Sequence, residues 1–350
     1  NITGKVVMVT GAGGSIGSEL SRQIAILKPK GLILYEISEL ALYNIEKELT
    51  GVHNTDINIY PILGDIKNEN RLTQVFNSFN VDTVYHAAAY KHVPMVEFNN
   101  AEGVDNNIFG TLHCAETAIE CGVETFVLVS TDKAVRPTNT MGATKRCAEL
   151  ILQALSKNQN NTKFTMVRFG NVLDSSGSVI PLFKQQIREG GPVTVTDKDI
   201  VRYFMTISEA VELVIQAGAM CSGGDVFVLD MNKPVRIDDL AKKMISLSGL
   251  KLKDEFHPDG DIEIKYIGLR PGEKLNEELL IGDNTSETDN PLIMRAEEDM
   301  LSWGELKPVL ESLKIATQEC NQEKIRELLI QLVHDFKPQC EIVDILYKRR

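Results

Sequence analysis

Residues Lys5–Thr10 (KVVMVT) run straight into Thr10-Gly11-Ala12-Gly13-Gly14-Ser15-Ile16-Gly17. An unbroken apolar run of this length reads as a strand buried on both faces. Gly11, Gly14 and Gly17 then recur at every third position. Glycine is needed where a chain turns tightly, where backbone approaches a pyrophosphate, and where a helix packs closely on a strand. The following segment, Gly14–Leu27, reads as a helix. Its N-terminus offers free N–H groups and a partial positive charge to an anion. Strand, glycine turn and helix in this order mark the first βα unit of a dinucleotide-binding sheet. No G-K-[ST] follows, which excludes a P-loop.

The alternation continues along the chain. Apolar runs at Gly31–Glu36, Ile57–Leu63, Thr83–Ala87, Thr125–Ser130 and Lys163–Phe169 predict strands. Amphipathic segments at Glu39–Leu49, Asn68–Phe79, Val104–Cys121 and Met141–Ser156 predict helices between them. Near-continuous apolar strands separated by helices imply a parallel sheet covered on both faces, and right-handed crossovers make it doubly wound. The expected fold is therefore α/β, a Rossmann-type doubly wound sheet with a smaller α/β substrate-binding domain. The first domain should span residues 1–170, with a strand returning near 200–235, for which Asp225–Asp230 is the candidate. The second should span 171–300, with a strand at Ile262–Ile267, a helix beginning near Lys274 and a polar loop at Asp283–Asn290. Residues 301–350 should form a C-terminal segment, helical over Glu305–Lys337.

The chain has 350 residues, enough for roughly two domains. With 37 basic and 49 acidic residues its formal charge is −12, a balance that repels phosphate backbones and argues against nucleic-acid binding. Anionic small molecules need local positive groups. The six cysteines include no C-x-x-C pair, and no H-E-x-x-H occurs, so no metal site is expected. Scattered cysteines of this kind read as reduced thiols of a cytoplasmic protein. No apolar run approaches 18 residues, so this segment is expected to make no membrane contact. The chain opens at Asn1 and enters its first strand by Lys5, which suggests a piece of a longer protein.

Cofactor contacts follow from the sheet. Glu36 ends the second strand, 19 residues after Gly17. An acidic group at that spacing accepts the adenosine ribose hydroxyls and repels a 2′-phosphate, which favours NAD over NADP. Asp65 and Ile66, after the third strand, are candidates for the adenine pocket. Ala87, Ala88 and Ala89 are small enough to let a cofactor lie across the sheet edge. Ser15 and Ile16 complete the phosphate-facing turn with Gly11, Gly14 and Gly17.

The fifth strand ends in Ser130-Thr131-Asp132-Lys133, and eight residues later comes Met141-Gly142-Ala143-Thr144-Lys145. Residues i and i+4 share one helix face. With the glycine turn, this arrangement resembles the extended short-chain dehydrogenase/reductases, whose helix carries Tyr-x-x-x-Lys at this place. The segments Ala87–Glu97 (AAAYKHVPMVE), Ser130–Arg146, Arg168–Leu173 (RFGNVL), Arg202–Thr206 (RYFMT) and Leu269–Leu275 (LRPGEKL) narrow the match. Over about residues 3 to 300 the chain resembles the bacterial UDP-N-acetylglucosamine 4,6-dehydratases. Met141 departs from the superfamily tyrosine, and is what the large membrane-anchored dehydratases of surface-polysaccharide and glycan pathways carry.

The resemblance implies an NAD-dependent dehydration of UDP-N-acetylglucosamine without net redox, giving a 4-keto-6-deoxy sugar. It implies Asp132 as the acid for the departing 6-hydroxyl and Lys133 as the base at carbon 5. For these roles Asp132 must be protonated and Lys133 neutral at the working pH. Lys145 takes the nicotinamide ribose. Because Met141 cannot carry a proton, Thr131, with Lys145 or a water as relay, is the candidate acceptor at carbon 4. Arg202 and Arg270 are candidates for the diphosphate, since a guanidinium forks onto phosphate oxygens. Lys91 is assigned to the sugar or a phosphate, Asn171 to the diphosphate or sugar, and Glu273 to the uridine ribose. Asn107 is placed near the nicotinamide, holding strand–helix geometry. His86, His92 and His113 have no ligand spacing, and Trp303 reads as packing. The resemblance leans toward retention at carbon 5. Two readings stay open beside it: an inverting dehydratase, and a non-catalytic NAD-binding sensor or scaffold. It further implies a homo-oligomer, and a parent anchored in the bacterial inner membrane with this domain facing the cytoplasm.

Overall fold

The computed structural model describes residues 2–52, 57–278 and 285–347. The strands are β1 (Val6–Thr10), β2 (Gly31–Glu36), β3 (Asn58–Leu63), β4 (Thr83–His86), β5 (Thr125–Val129), β6 (Lys163–Arg168), β7 (Asn171–Val172), β8 (Val193–Val195), β9 (Val201–Arg202), β10 (Phe204–Met205), β11 (Asp225–Leu229), β12 (Val235–Arg236), β13 (Leu252–Lys253), β14 (Ile262–Tyr266), β15 (Thr285–Glu287) and β16 (Ile293–Ala296). The helices are α1 (Ser15–Ile26), α2 (Glu39–Val52), α3 (Glu69–Phe79), α4 (Val93–Glu97), α5 (Asn100–Val104), α6 (Gly110–Glu120), α7 (Thr140–Asn158), α8 (Val179–Arg188), α9 (Ile207–Ala219), α10 (Ile237–Leu247), α11 (Trp303–Gln318) and α12 (Gln322–Leu332).

Among the described residues, nine strands form one sheet in the order β15-β16-β11-β6-β5-β4-β1-β2-β3. The strands from β11 to β3 run parallel, and β16 and β15 close one edge antiparallel. The chain is a doubly wound parallel sheet, as its apolar runs require. The order reverses between β1 and β4, and such a switch point opens a crevice at the carboxyl ends of the strands. One apolar cluster fills each face of the sheet. A third, around Phe183, Val193, Ile237 and Ile262, packs α8 and α10 on the separate parallel β13-β14-β8 sheet.

Four local features depart from the sequence reading. The expected helix Val104–Cys121 starts earlier, at Asn100, and is interrupted by a π turn over Asp105–Phe109. The helix expected near Lys274 is not formed in residues 271–278. The Arg202 guanidinium takes the carbonyls of Lys274 and Leu275, which a helix would use for itself. The expected polar loop at Asp283–Asn290 contains β15, paired to β16, while residues 283 and 284 lie outside the described residues. The C-terminal helical segment is two helices, broken where Cys320 adopts φ +52° and Asn321 caps α12.

Candidate active site

The glycine turn is shaped by steric need. Gly11 has φ +65°, and a Cβ there would stand 2.8 Å from the Ala88 backbone. A Cβ on Gly17 would stand 1.9 Å from the Gly11 carbonyl oxygen. Gly14 caps α1 without any side-chain acceptor, so the first-turn amides face outward unmet by a cap. Below this turn a cavity of about 290 Å³ is lined by Gly11, Gly14, Glu36, Asp65, Ile66 and Ala87–Ala89. The Glu36 carboxylate accepts the amides of Gly13 and Ser38, both at 2.9 Å, which aims it at the turn. This cradle, closed to any added side chain and edged by a fixed carboxylate, fits the adenosine and pyrophosphate of a dinucleotide.

A larger cavity of about 770 Å³ continues along the carboxyl ends of the strands. Gly14, Ser15, Ile16, Gly17, Ala87, Ala89, Lys91, Thr131, Lys133, Met141, Lys145 and Asn171 line it. Lys133 and Asp132 form a short 3₁₀ turn directly after β5, capped by the Thr131 side chain. The Lys133 ammonium lies 3.0 Å from Asp132 Oδ1, and Thr131 donates to the same oxygen at 2.8 Å. Asp132 is itself 1 % exposed and sits behind Lys133 rather than on the cavity wall.

Met141 and Lys145 stand one turn apart at the start of α7. That turn is fixed three ways. Asn139 caps it by accepting the Gly142 amide, Glu97 accepts the Thr140 amide, and Asn139 also donates to the Gly272 carbonyl. Lys145 donates to the Val129 carbonyl at 2.8 Å. Burial pulls its pKa down to about 8, against a smaller opposing pull from Glu149. Burial also lowers the Lys91 ammonium. Lys133 behaves the other way. Burial opposes its charge, but Asp132 and Glu277 outweigh that and hold it above the ordinary lysine value. The neutral lysine expected from sequence is thus not its resting state.

Besides Asp132, four expected site residues stand away from the cavity walls. Asn107 is fully buried, bonded to the Tyr90 backbone and the Thr144 hydroxyl, so it fixes the loop after β4 and cannot reach a ligand. Arg202 is buried and spends its donors on backbone carbonyls. Glu273 is within 3.6 Å of both Arg202 and the more exposed Arg270. Sequence reasoning missed Glu277, whose carboxylate is 3.6 Å from Lys133. It also missed His92 and the loop Ser175–Ser178, which line the larger cavity. Ser176 meets Ser15 of the glycine turn through a 3.0 Å hydrogen bond from its amide. His86, buried between Thr10 and Thr111, is a core residue held neutral by burial, its pKa lowered to about 3.

The model of the polysaccharide biosynthesis protein family matches residues 7–298. This chain belongs to that family. It is 54 % identical over 279 residues to the capsular polysaccharide biosynthesis protein CapD of Staphylococcus aureus, covering 80 % of this chain and 45 % of CapD. The chain therefore spans under half the length of that relative. A UDP-N-acetylglucosamine 4,6-dehydratase (inverting) of Campylobacter jejuni is 32 % identical, covering 81 % of this chain and 79 % of that protein. A UDP-glucose 4-epimerase of Rickettsia rickettsii is 33 % identical, covering 82 % and 80 %. The X-ray structure of Pen from Bacillus thuringiensis superposes with TM-score 0.76 at 36 % identity, over 86 % of this chain and 92 % of Pen. A dTDP-glucose 4,6-dehydratase of Bacillus anthracis, solved with NAD, shares the fold at TM-score 0.65 and 20 % identity, over 79 % and 87 % of the two chains. The three sequence relatives named here, each above 30 % identity, carry the names of a capsule-synthesis protein, a nucleotide-sugar 4,6-dehydratase and a nucleotide-sugar 4-epimerase.

Proposed function

We propose that this domain binds NAD and dehydrates UDP-N-acetylglucosamine to the 4-keto-6-deoxy sugar, with retention at carbon 5. The observation that carries the reading is the Asp132–Lys133 pair, buried at the carboxyl end of a central strand, with Lys133 on the wall of the larger cavity and Asp132 directly behind it. An epimerase needs no adjacent acid and base beside its cofactor, and a sensor needs neither. The Gly11–Gly17 turn and α1 suit the pyrophosphate, Glu36 the adenosine ribose, and Lys145 the nicotinamide ribose. When bound, the nicotinamide supplies a hydride acceptor at carbon 4 and a donor at carbon 6.

The chain's own residues handle the protons. At rest Lys133 is held protonated beside Asp132. A substrate that fills the cavity and expels water weakens the case for a separated charge pair. The proton then crosses the 3.0 Å contact, leaving Asp132 protonated and Lys133 neutral. With a ketone at carbon 4, the carbon 5 proton is acidic. Lys133 takes it, the C5–H electron pair becomes the bond to carbon 6, and the C6–O bond breaks as Asp132 protonates the oxygen to water. Lys133 ends protonated again. Thr131, bonded to Asp132, relays the carbon 4 hydroxyl proton that Met141 cannot accept, and this proton restores the pair once Lys133 has given its own back to carbon 5. If Lys133 returns the proton to the face it came from, carbon 5 keeps its configuration. The inverting label of the Campylobacter relative favours the second reading, reprotonation from the other face.

Lys91 and Asn171 line the cavity and suit the sugar or its diphosphate, while Arg270 and Glu273 stand outside its walls. The domain is proposed to work as a homo-oligomer and to belong to a longer membrane-anchored parent facing the cytoplasm. Among the described residues no helix is long and apolar enough to cross a membrane. The test is UDP-N-acetylglucosamine in heavy water, followed by proton NMR. A new carbon 6 methyl signal with deuterium at carbon 5 and no net NADH is expected. Coupling constants of the first product separate retention from inversion. No methyl signal from NAD-bound protein overturns the reading.

A further inference from the structure

Lys133 sits between two buried carboxylates, not one. Asp132 approaches from its own turn at 3.0 Å, and Glu277 from the segment after Gly272 at 3.6 Å. The Glu277 side chain is 3 % exposed. Its Oε2 atom is buried and has no hydrogen-bond partner among the described residues. Placement is not accidental drift of a surface loop. Arg202 grips the carbonyls of Lys274 and Leu275, and Lys274 donates to the carbonyls of Val135 and Arg136. The segment is thereby tied to the turn that carries Lys133. Asn171 Oδ1 lies 3.5 Å from the ammonium, and Arg202 is the cation that acts against it.

We propose that Glu277 is a positioning residue for Lys133, holding its amine in place and stabilising the ammonium that forms when it takes a proton from substrate carbon. The proposal rests on the dehydratase reading above. In that chemistry Asp132 loses its charge and regains it within each turnover, so it cannot stabilise the ammonium throughout. Glu277 takes up neither proton in that cycle, so its 3.6 Å contact with Lys133 stands outside the transfer. It makes Lys133 a stronger base at the moment of abstraction. It also keeps the resting lysine protonated, consistent with the raised Lys133 pKa.

The test compares wild type with Glu277→Gln and Glu277→Asp. Two readouts are taken: the Lys133 titration, by NMR of lysine-labelled protein, and the pH profile of kcat with UDP-N-acetylglucosamine. An opposite charge at this distance shifts a pKa by about one unit or more. Glu277→Gln should therefore lower the Lys133 titration by about one unit or more. It should move the falling alkaline limb of kcat, where the pair loses the proton that Asp132 must deliver, to lower pH by the same amount, with kcat reduced at least about tenfold and KM nearly unchanged. Glu277→Asp keeps the charge and should restore both positions toward wild type. A Glu277→Gln enzyme that loses kcat without moving either titration overturns the proposal and leaves a merely structural role. If Glu277→Gln does not fold, an Asp variant whose Lys133 titration drops as far as that of a neutral side chain overturns it as well. Wild-type protein that makes no methyl product contradicts the dehydratase reading instead, while the Lys133 titration still decides whether Glu277 sets its charge.

Discussion

At the scale of single residues the site is a set of charges whose values depend on their neighbours. Asp132 and Lys133 are adjacent in the chain, so their pairing was legible in the sequence. The raised pKa of Lys133 was not, because beside Asp132 it draws on Glu277, 144 positions further on and brought near only by the folded chain. The glycines were legible for the opposite reason. Gly11 meets Ala88 only in the fold, but the spacing that permits the contact is local. Arg202 and Asn107 show the limit of reading types at positions. Arg202 looked able to meet a diphosphate and is consumed by backbone carbonyls, while Asn107, read as holding strand–helix geometry beside the nicotinamide, spends its amide on the Tyr90 backbone and the Thr144 hydroxyl. The pair itself gives a direct prediction. Asp132→Asn keeps the side-chain shape and removes the acid. Methyl-product formation should fall by about 10²–10⁴-fold, the usual contribution of a positioned acid or base. NAD affinity, measured by titration calorimetry, should change less than about threefold, since Asp132 lies behind Lys133 and off the cofactor cradle.

At the scale of elements, α7 connects the candidate site to the sheet. Its first turn carries Met141 and Lys145 toward the cavity, and its next turn carries Glu149 into a buried network. Glu149 accepts from Arg168 of β6, from Arg146 and from Ser130, and Glu298 joins both arginines. Burial alone would raise the Glu149 pKa, but the two arginines and Ser130 pull it down to about 2. An unfolded glutamate titrates near about 4.3. The folded value is the lower one, so this group stabilises the fold above about pH 4.3, and that contribution is lost as pH falls toward 2. Glu149→Gln should flatten this limb of the urea midpoint against pH. It should also cost about 3–5 kcal/mol at neutral pH, because two buried guanidiniums lose their carboxylate. The helix itself was legible from its apolar spacing. The network was not, since charged residues at helical spacing look the same on a solvated face. The missing helix near Lys274 is a related case, in which a buried arginine from another element took the carbonyls.

At the scale of the whole molecule, the C-terminal helices are part of the main core and not an appendage. Leu306, Leu310 and Leu313 of α11 and Leu328, Leu329 and Leu332 of α12 join the apolar cluster that covers one face of the sheet. Beyond them the chain continues against the active-site side: Gln339 donates to the Thr138 carbonyl, and Asp344 accepts the Asn100 amide. Removing residues 302–350 would expose six leucines at roughly 1.5–3 kcal/mol each, on the order of 10 kcal/mol together. That rivals the whole stability of a domain. Such a truncation should lose its cooperative thermal transition in calorimetry, and a truncated chain melting within a few degrees of the full one would contradict this. The doubly wound sheet was legible because each strand is apolar through its length. The seating of α11 and α12 on it was not, because amphipathic periodicity names a buried face without naming what covers it. The central claim joins the three scales, since one cavity must hold cofactor, sugar and proton carriers together. It is tested most directly with UDP-N-acetylglucosamine carrying deuterium at carbon 4, in ordinary water, with the product analysed by NMR and mass spectrometry. The account predicts a single deuterium in the new carbon 6 methyl group and none released as labelled NADH. Product with an unlabelled methyl group, or recovery of a carbon 4 epimer with its 6-hydroxyl intact, would contradict it.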